Sequence, residues 1–194
     1  GAMRYRRALE LHPGYATAQH WYAGDYLAML GRFDEAIEGM RRAVQLDPLS
    51  VAIQDTMAHV YMLARRYDEA LEEYRRTLES RGRHYKFLTG MGRVYAHMGR
   101  YDEALALFEE ARVMPGSLPS LLGAMAQTYG LAGQADKARA LLAELDEMAR
   151  YRYVPSTARA LKHLGLGVKE QAMNWLEGAC YRSEMPVCTL GVHP

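Results

Sequence analysis

Apolar and small residues recur along this chain at the spacing of a helix, in blocks that return every 34 residues. In the block 85–98 that spacing runs through Leu88, Met91 and Tyr95, and Gly99 then ends the predicted helix. A second helical pattern follows after a short turn, so each block predicts a pair of helices. No alternating pattern typical of strands competes with it, and the predicted fold is all-α.

The period is fixed by a turn residue and by an alanine five positions later. These positions are Gly31, Arg65, Gly99, Gly133 and Gly167 for the turns, and Ala36, Ala70, Ala104, Ala138 and Ala172 for the alanines. Three copies are nearly identical, reading Gly-Arg-Phe-Asp-Glu-Ala, Arg-Arg-Tyr-Asp-Glu-Ala and Gly-Arg-Tyr-Asp-Glu-Ala. A strict period of this length is typical of a stacked repeat array.

The pattern predicts an α-α superhelix, a solenoid of about five helix-turn-helix repeats with a half repeat at 4–13 before them. The predicted repeats span residues 17–50, 51–84, 85–118, 119–152 and 153–181, and a tail follows at 182–194. Residues 1–3 are interpreted as the remnant of a cleaved tag, and 4–194 as a single domain. Within the first repeat the helices are expected near 17–30 and 34–47.

Small residues recur on both helices of each pair, and packing explains them. Two helices joined by a three-residue turn cross closely, so only small side chains fit where they cross. The predicted crossing residues are Gly24, Ala36, Ala58, Ala70, Gly92, Ala104, Ala126 and Ala138.

Composition narrows the function classes. Hydrophobic residues make up 49% of the chain, while charged residues balance to a net charge of +1. That balance does not favour a general nucleic-acid or membrane-surface role. No apolar stretch approaches the ~20 residues of a membrane helix, no secretory signal is recognisable, and the two cysteines favour a reducing compartment. A cytoplasmic location is therefore expected.

Residues 17–181 resemble the tetratricopeptide repeat family, on the evidence of the repeating turn and alanine positions. The end of the chain is more distinctive, with Tyr153-Val154-Pro155-Ser156, Leu166-Gly167 and Trp175-Leu176-Glu177. It resembles the repeat domains that follow winged-helix, nucleotidyl-cyclase or protein-kinase domains in bacterial signalling proteins. That resemblance implies a regulatory or assembly module of a larger polypeptide.

The first helix of each pair has a face opposite its core stripe, placed here at 100° per residue. In the family that this chain resembles, that face lines a concave groove that holds a peptide. The residues expected on this predicted groove face are Trp21, Asp25, Asp55, His59, Met62, Lys86, Thr89, Arg93, His97 and Gln127. Asp25, His59 and Arg93 lie 34 residues apart in series, and Gln127 continues the column. The alternative is that these residues are merely solvated surface.

Motifs for catalysis, cofactors and metals are weak. The run Gly90-Met91-Gly92 lacks the third glycine of a dinucleotide-binding fingerprint, and no strand precedes it. Cys180, Cys188 and His193 match no common zinc spacing. We therefore expect a protein that is not an enzyme and needs no cofactor or metal.

The favoured hypothesis is a non-catalytic scaffold that binds a peptide or a partner domain in its groove. The alternative is a regulatory domain that senses a small molecule and controls an attached DNA-binding, cyclase or kinase effector. The ends leave two further alternatives, because a repeat array needs polar caps. Either the tail 182–194 folds back over the last helix pair, or an uncapped end supports a homodimer.

Overall fold

A computed structural model describes residues 2–116, 118–151, 153–165, 168 and 170–175, and every regular element in these ranges is helical. The first helix, α1 (Ala2–Leu11), is followed by α2 (Ala16–His20), which continues into a π-helical segment (Trp21–Leu27). The remaining helices are α3 (Phe33–Leu46), α4 (Val51–Leu63), α5 (Tyr67–Arg81), α6 (Tyr85–His97), α7 (Tyr101–Arg112), α8 (Leu118–Leu131), α9 (Ala135–Met148) and α10 (Ser156–Gly165). Residues 170–175 are helical as well. The predicted all-α fold of repeated helix pairs is confirmed.

The turn inside each helix pair has the same backbone geometry throughout. An amide just past the turn donates to a carbonyl five residues earlier, the longer bond of a Schellman motif. The donor and acceptor pairs are Arg32 with Leu27, Arg66 with Tyr61, Arg100 with Tyr95, Gln134 with Tyr129 and Val168 with His163, at 2.8–3.1 Å. The backbone therefore repeats with the 34-residue period that the sequence predicts.

The left-handed residue of that motif is glycine in three copies and arginine in one. The φ angle is 69° at Gly31, 59° at Arg65, 76° at Gly99 and 75° at Gly133. Residues with a Cβ atom are strained in this region of φ, and glycine is not. The predicted turn at Gly167 lies outside the described residues.

The helices form two compact units, and the first contains α1 to α5. Within it, α3 packs against α2, the π segment and α4, and α4 packs against α5. Met40 is fully buried at the centre of this packing. A Cβ atom added to Gly24 would lie 2.4 Å from Thr56 Cγ2, so the π segment and α4 are in close contact there.

The second unit contains α6 to α10. Neighbouring helices pack in sequence from α6 to α9, whereas α10 packs far more on α8 than on α9. Gly92 lies against the ring of Phe108, and a Cβ atom on Gly123 would lie 2.8 Å from the carbonyl oxygen of Ala158. The α8–α10 contact is therefore close enough to involve backbone atoms.

All eight residues predicted at helix crossings are buried, in both units. Ala160 and Ala172 are buried at the corresponding positions of the last repeat. The predicted tail and both cysteines lie outside the described residues. None of the described helices is long and apolar enough to span a membrane.

Candidate functional site

Five of the predicted groove residues lie in the first unit. We call four of them the first surface: Trp21 and Asp25 on the π segment, and Asp55 and His59 on α4. His20, the last residue of α2 and the one directly before the π segment, links this helix to α4, because its Nε2 lies 2.9 Å from Thr56 Oγ1. Sequence reasoning overlooked both partners of this hydrogen bond. His20 occupies the position that holds Gln54 in the second repeat and Leu88 and Leu122 in the third and fourth. A histidine where two repeats have leucine was the available signal.

The π segment is a departure from the predicted regular helix over 17–30. The amide of Ala28 donates to the carbonyl of Ala23, five residues back, so the chain winds more widely here than in an α-helix. Four residues still complete nearly one turn, which leaves Trp21 and Asp25 on neighbouring parts of one face. Single π turns occur often at functional sites, and this is the only segment of that kind in the described residues.

Trp21 is a large aromatic residue with 43% of its surface exposed. Its indole stacks on the imidazole of His20, with 5.0 Å between ring centroids. His20 is buried, and burial lowers its pKa, which favours a neutral imidazole. His20 therefore covers part of the indole, while much of the Trp21 side chain remains exposed.

Asp25 is half-buried, and its side chain makes no hydrogen bond or ion pair with any described residue. Its burial raises the pKa of the carboxyl group to about 6. An acid that is partly withdrawn from water without a compensating donor costs stability, and such groups concentrate at binding sites.

Asp55 and His59 are half-buried on α4, and Asp55 also has a structural contact. The hydroxyl of Tyr74, on α5, donates to Asp55 Oδ1 at 3.2 Å. Asp55 therefore helps to hold the α4–α5 pair together, a contact that sequence spacing did not indicate.

Met62 does not belong to an accessible face, which corrects its predicted place in the groove. Only 4% of its surface is exposed. Ala28, one repeat earlier, is buried at the same position. Met62 is at the edge of the predicted groove face and next to the turn, where the amide of Arg65 donates to the Met62 carbonyl. Neighbouring residues cover its side chain there.

In the second unit, four predicted groove residues lie on α6, and we call them the second surface: Lys86, Thr89, Arg93 and His97. His97 is exposed and the other three are half-buried. Thr89 Oγ1 donates to the carbonyl of Tyr85 at 2.7 Å and so turns toward its own helix. Lys86 and Arg93 form no ion pair with a described residue.

Gln127 lies half-buried on α8, in the second unit. Gly123, four residues earlier, is buried against Ala158 of α10. The close packing of α10 thus removes part of this face of α8 from solvent, and Gln127 sits beside the covered part.

The two surfaces have opposite charge character. The first surface has two carboxylates and no lysine or arginine, whereas the second has one lysine, one arginine and no carboxylate. Within the described residues, no group of three or more histidine, cysteine, aspartate or glutamate side chains is arranged to hold a metal ion. The predicted surfaces therefore present binding chemistry of two different kinds.

Comparison with solved structures shows the same fold. A tetratricopeptide repeat protein from Parabacteroides merdae matches 98% of this chain and 74% of its own, with a TM-score of 0.71 and 17% identity. TTC0263, a thermophilic repeat protein of Thermus thermophilus, matches 90% of this chain and 94% of its own, with a TM-score of 0.65 and 19% identity. YrrB, described as a repeat protein with an unusual peptide-binding site, matches 98% of each chain with a TM-score of 0.52 and 16% identity.

No curated protein sequence matches this chain at a significant level. Family models for the tetratricopeptide repeat match residues 2–51, 56–118 and 119–144. These matches cover most of the chain, include the predicted half repeat and follow the turns that the backbone repeats. This chain belongs to the tetratricopeptide repeat family.

Proposed function

We propose that this protein is a non-catalytic interaction scaffold that binds a peptide or a partner domain on the faces that carry the first and second surfaces. Stacked repeat arrays create extended binding surfaces, and the residues on those surfaces vary from one repeat to the next. The observation that carries the proposal is the pairing of an exposed, stacked Trp21 with an unpaired Asp25 on the π segment. Tryptophan and arginine are enriched among residues that dominate binding energy.

The repeat fold supports an interaction role in general, and its specific setting is part of the proposal. We infer that the chain serves as the regulatory or assembly module of a bacterial signalling protein, because its last residues resemble that group of repeat domains. YrrB is a repeat protein with an unusual peptide-binding site, and this similarity supports a peptide as the ligand class.

The test compares proteins captured from a bacterial lysate by the unmodified chain and by two single variants, Trp21→Ala and Arg93→Ala. We expect a specific set of captured proteins to be lost with at least one variant, while circular dichroism stays unchanged. Arg139→Ala is the matched control, because Arg139 is an exposed arginine on α9, outside both surfaces. Capture of the same proteins by all three variants would reject the two surfaces as binding sites.

A thermal-shift screen with metabolites addresses the alternative of small-molecule sensing. Ligands that bind the folded state raise the melting temperature in proportion to the logarithm of their concentration over Kd. A metabolite that stabilises the chain, combined with no protein captured at either surface, would favour a sensing domain over a scaffold.

A further inference from the structure

The geometry points to a specific ligand chemistry at the first surface: we propose that Trp21 and Asp25 together bind a lysine or arginine side chain of the partner. This inference rests on the proposed function and assigns a residue class to one part of it. Both residues and the contacts that orient them lie within the first unit.

The aromatic half of the site is already oriented. His20 is fixed by its hydrogen bond to Thr56 at 2.9 Å, and Trp21 stacks on His20. The indole therefore loses little rotational freedom on binding, and preorganisation of this kind increases affinity. A cation placed over the face of a tryptophan is attracted by the ring quadrupole, more strongly than by other aromatic rings.

The acidic half of the site lacks a cation. On the neighbouring helix α3, Arg41 and Arg42 pair with Glu38, and Arg32, directly before that helix, pairs with Glu35. Asp25 has no such partner among the described residues. A guanidinium or ammonium group supplied by a ligand would form the charge-assisted hydrogen bond that this carboxylate lacks.

The local charge favours a cation over an anion. Asp55 adds a second carboxylate on α4, and the first surface contains no lysine or arginine that would repel a basic ligand. Tyr22 and Tyr26 stack on each other in the same π segment, with 5.7 Å between ring centroids. Aromatic and acidic groups in one patch are the combination that recognises arginine and lysine in peptides.

The experiment uses a random peptide library displayed on phage, selected in parallel against the unmodified chain, Asp25→Asn and Arg93→Gln. We expect peptides selected by the unmodified chain to share a lysine or arginine at one position. Asp25→Asn is expected to abolish that preference, and Arg93→Gln, which changes the second unit, to leave it intact. A synthetic peptide from the selection should bind Asp25→Asn about tenfold more weakly than the unmodified chain.

The outcomes separate this inference from the proposed function. Selection of peptides without a shared basic residue, or with one that Asp25→Asn retains, would overturn the inference and leave the scaffold proposal standing. Failure to select any peptide, with the chain folded by circular dichroism, would overturn peptide binding itself. Trp21→Phe provides a further readout: a smaller loss of affinity than Trp21→Ala supports stacking, and equal losses count against it.

Discussion

A basic side chain lies over a tyrosine at the turn in three successive repeats, although it comes from a different sequence position in the third. The guanidinium carbon of Arg66 lies 5.2 Å from the ring centroid of Tyr61, and that of Arg100 lies 4.5 Å from Tyr95. In the following repeat Lys137 lies 5.2 Å from Tyr129. In that repeat Gln134 stands at the position of the arginine. Lys137 stands at the position of the glutamate with which the arginine pairs in the two preceding repeats. The contact is thus kept while both positions change.

Asp25 gives the sharpest prediction for a single residue. Its folded-state pKa of about 6 lies above the ordinary value of 3.8, so the folded protein holds this proton more tightly than the unfolded chain. The resulting stabilisation is complete below pH ~4 and is lost as the pH rises through ~6. Because Asp25 is partly solvated, we expect Asp25→Asn to raise the free energy of unfolding at pH ~7.5 by only about 1 kcal/mol.

Urea denaturation at several pH values measures this effect, and the difference between the two proteins should vanish near pH ~4. A variant that is less stable than the unmodified chain at neutral pH would show that Asp25 has a stabilising partner. Combined with weaker binding of basic peptides, greater stability of Asp25→Asn would mean that this carboxylate is retained for binding at a cost in stability.

The elements that sequence reasoning predicted well are those whose cause is local. The turn residues and the small residues were readable, because the first follow from backbone geometry and the second from the close crossing of two helices joined by a short turn. The π segment was not, since a short apolar pattern suits both an α and a π winding. The burial of Met62 and the Tyr74–Asp55 hydrogen bond depend on neighbouring helices, which periodicity alone does not position.

The turn between α4 and α5 gives a prediction at the level of elements. Arg65 is exposed and occupies a left-handed conformation that glycine holds in the three other described copies. We expect Arg65→Gly to relieve backbone strain and to stabilise the protein by about 0.5–1 kcal/mol, after the entropy that glycine adds to the unfolded chain. The melting temperature should rise by roughly 1–4 °C.

The reverse change at an equivalent position is the matched control. Gly99→Arg places a side chain at φ 76°, where open space surrounds the position, so conformational strain is the main term that changes. It should lower the melting temperature by a similar amount. An unchanged or lower melting temperature for Arg65→Gly, with helicity preserved, would mean that the Arg65 side chain makes a stabilising contact that outweighs the strain.

At the scale of the whole molecule, two compact units raise the question of how far a local change in stability spreads. In a repeat array each repeat contacts only its neighbours, and stability is approximately a sum of local terms. Met40 in the first unit and Phe108 in the second occupy the same repeat position, and both are fully buried. Truncating either to alanine leaves a cavity and costs ~2–5 kcal/mol.

Hydrogen exchange measured by mass spectrometry distinguishes local from global destabilisation in these two variants. We expect Met40→Ala to reduce amide protection mainly in α2 to α5, and Phe108→Ala mainly in α6 to α9, because the lost contacts belong to those units. Equal loss of protection throughout both units in either variant would establish a single cooperative structure. That result would support the prediction, made from the sequence, of one domain extending over residues 4–194, whereas confined losses would mean that each binding surface rests on a unit that opens separately.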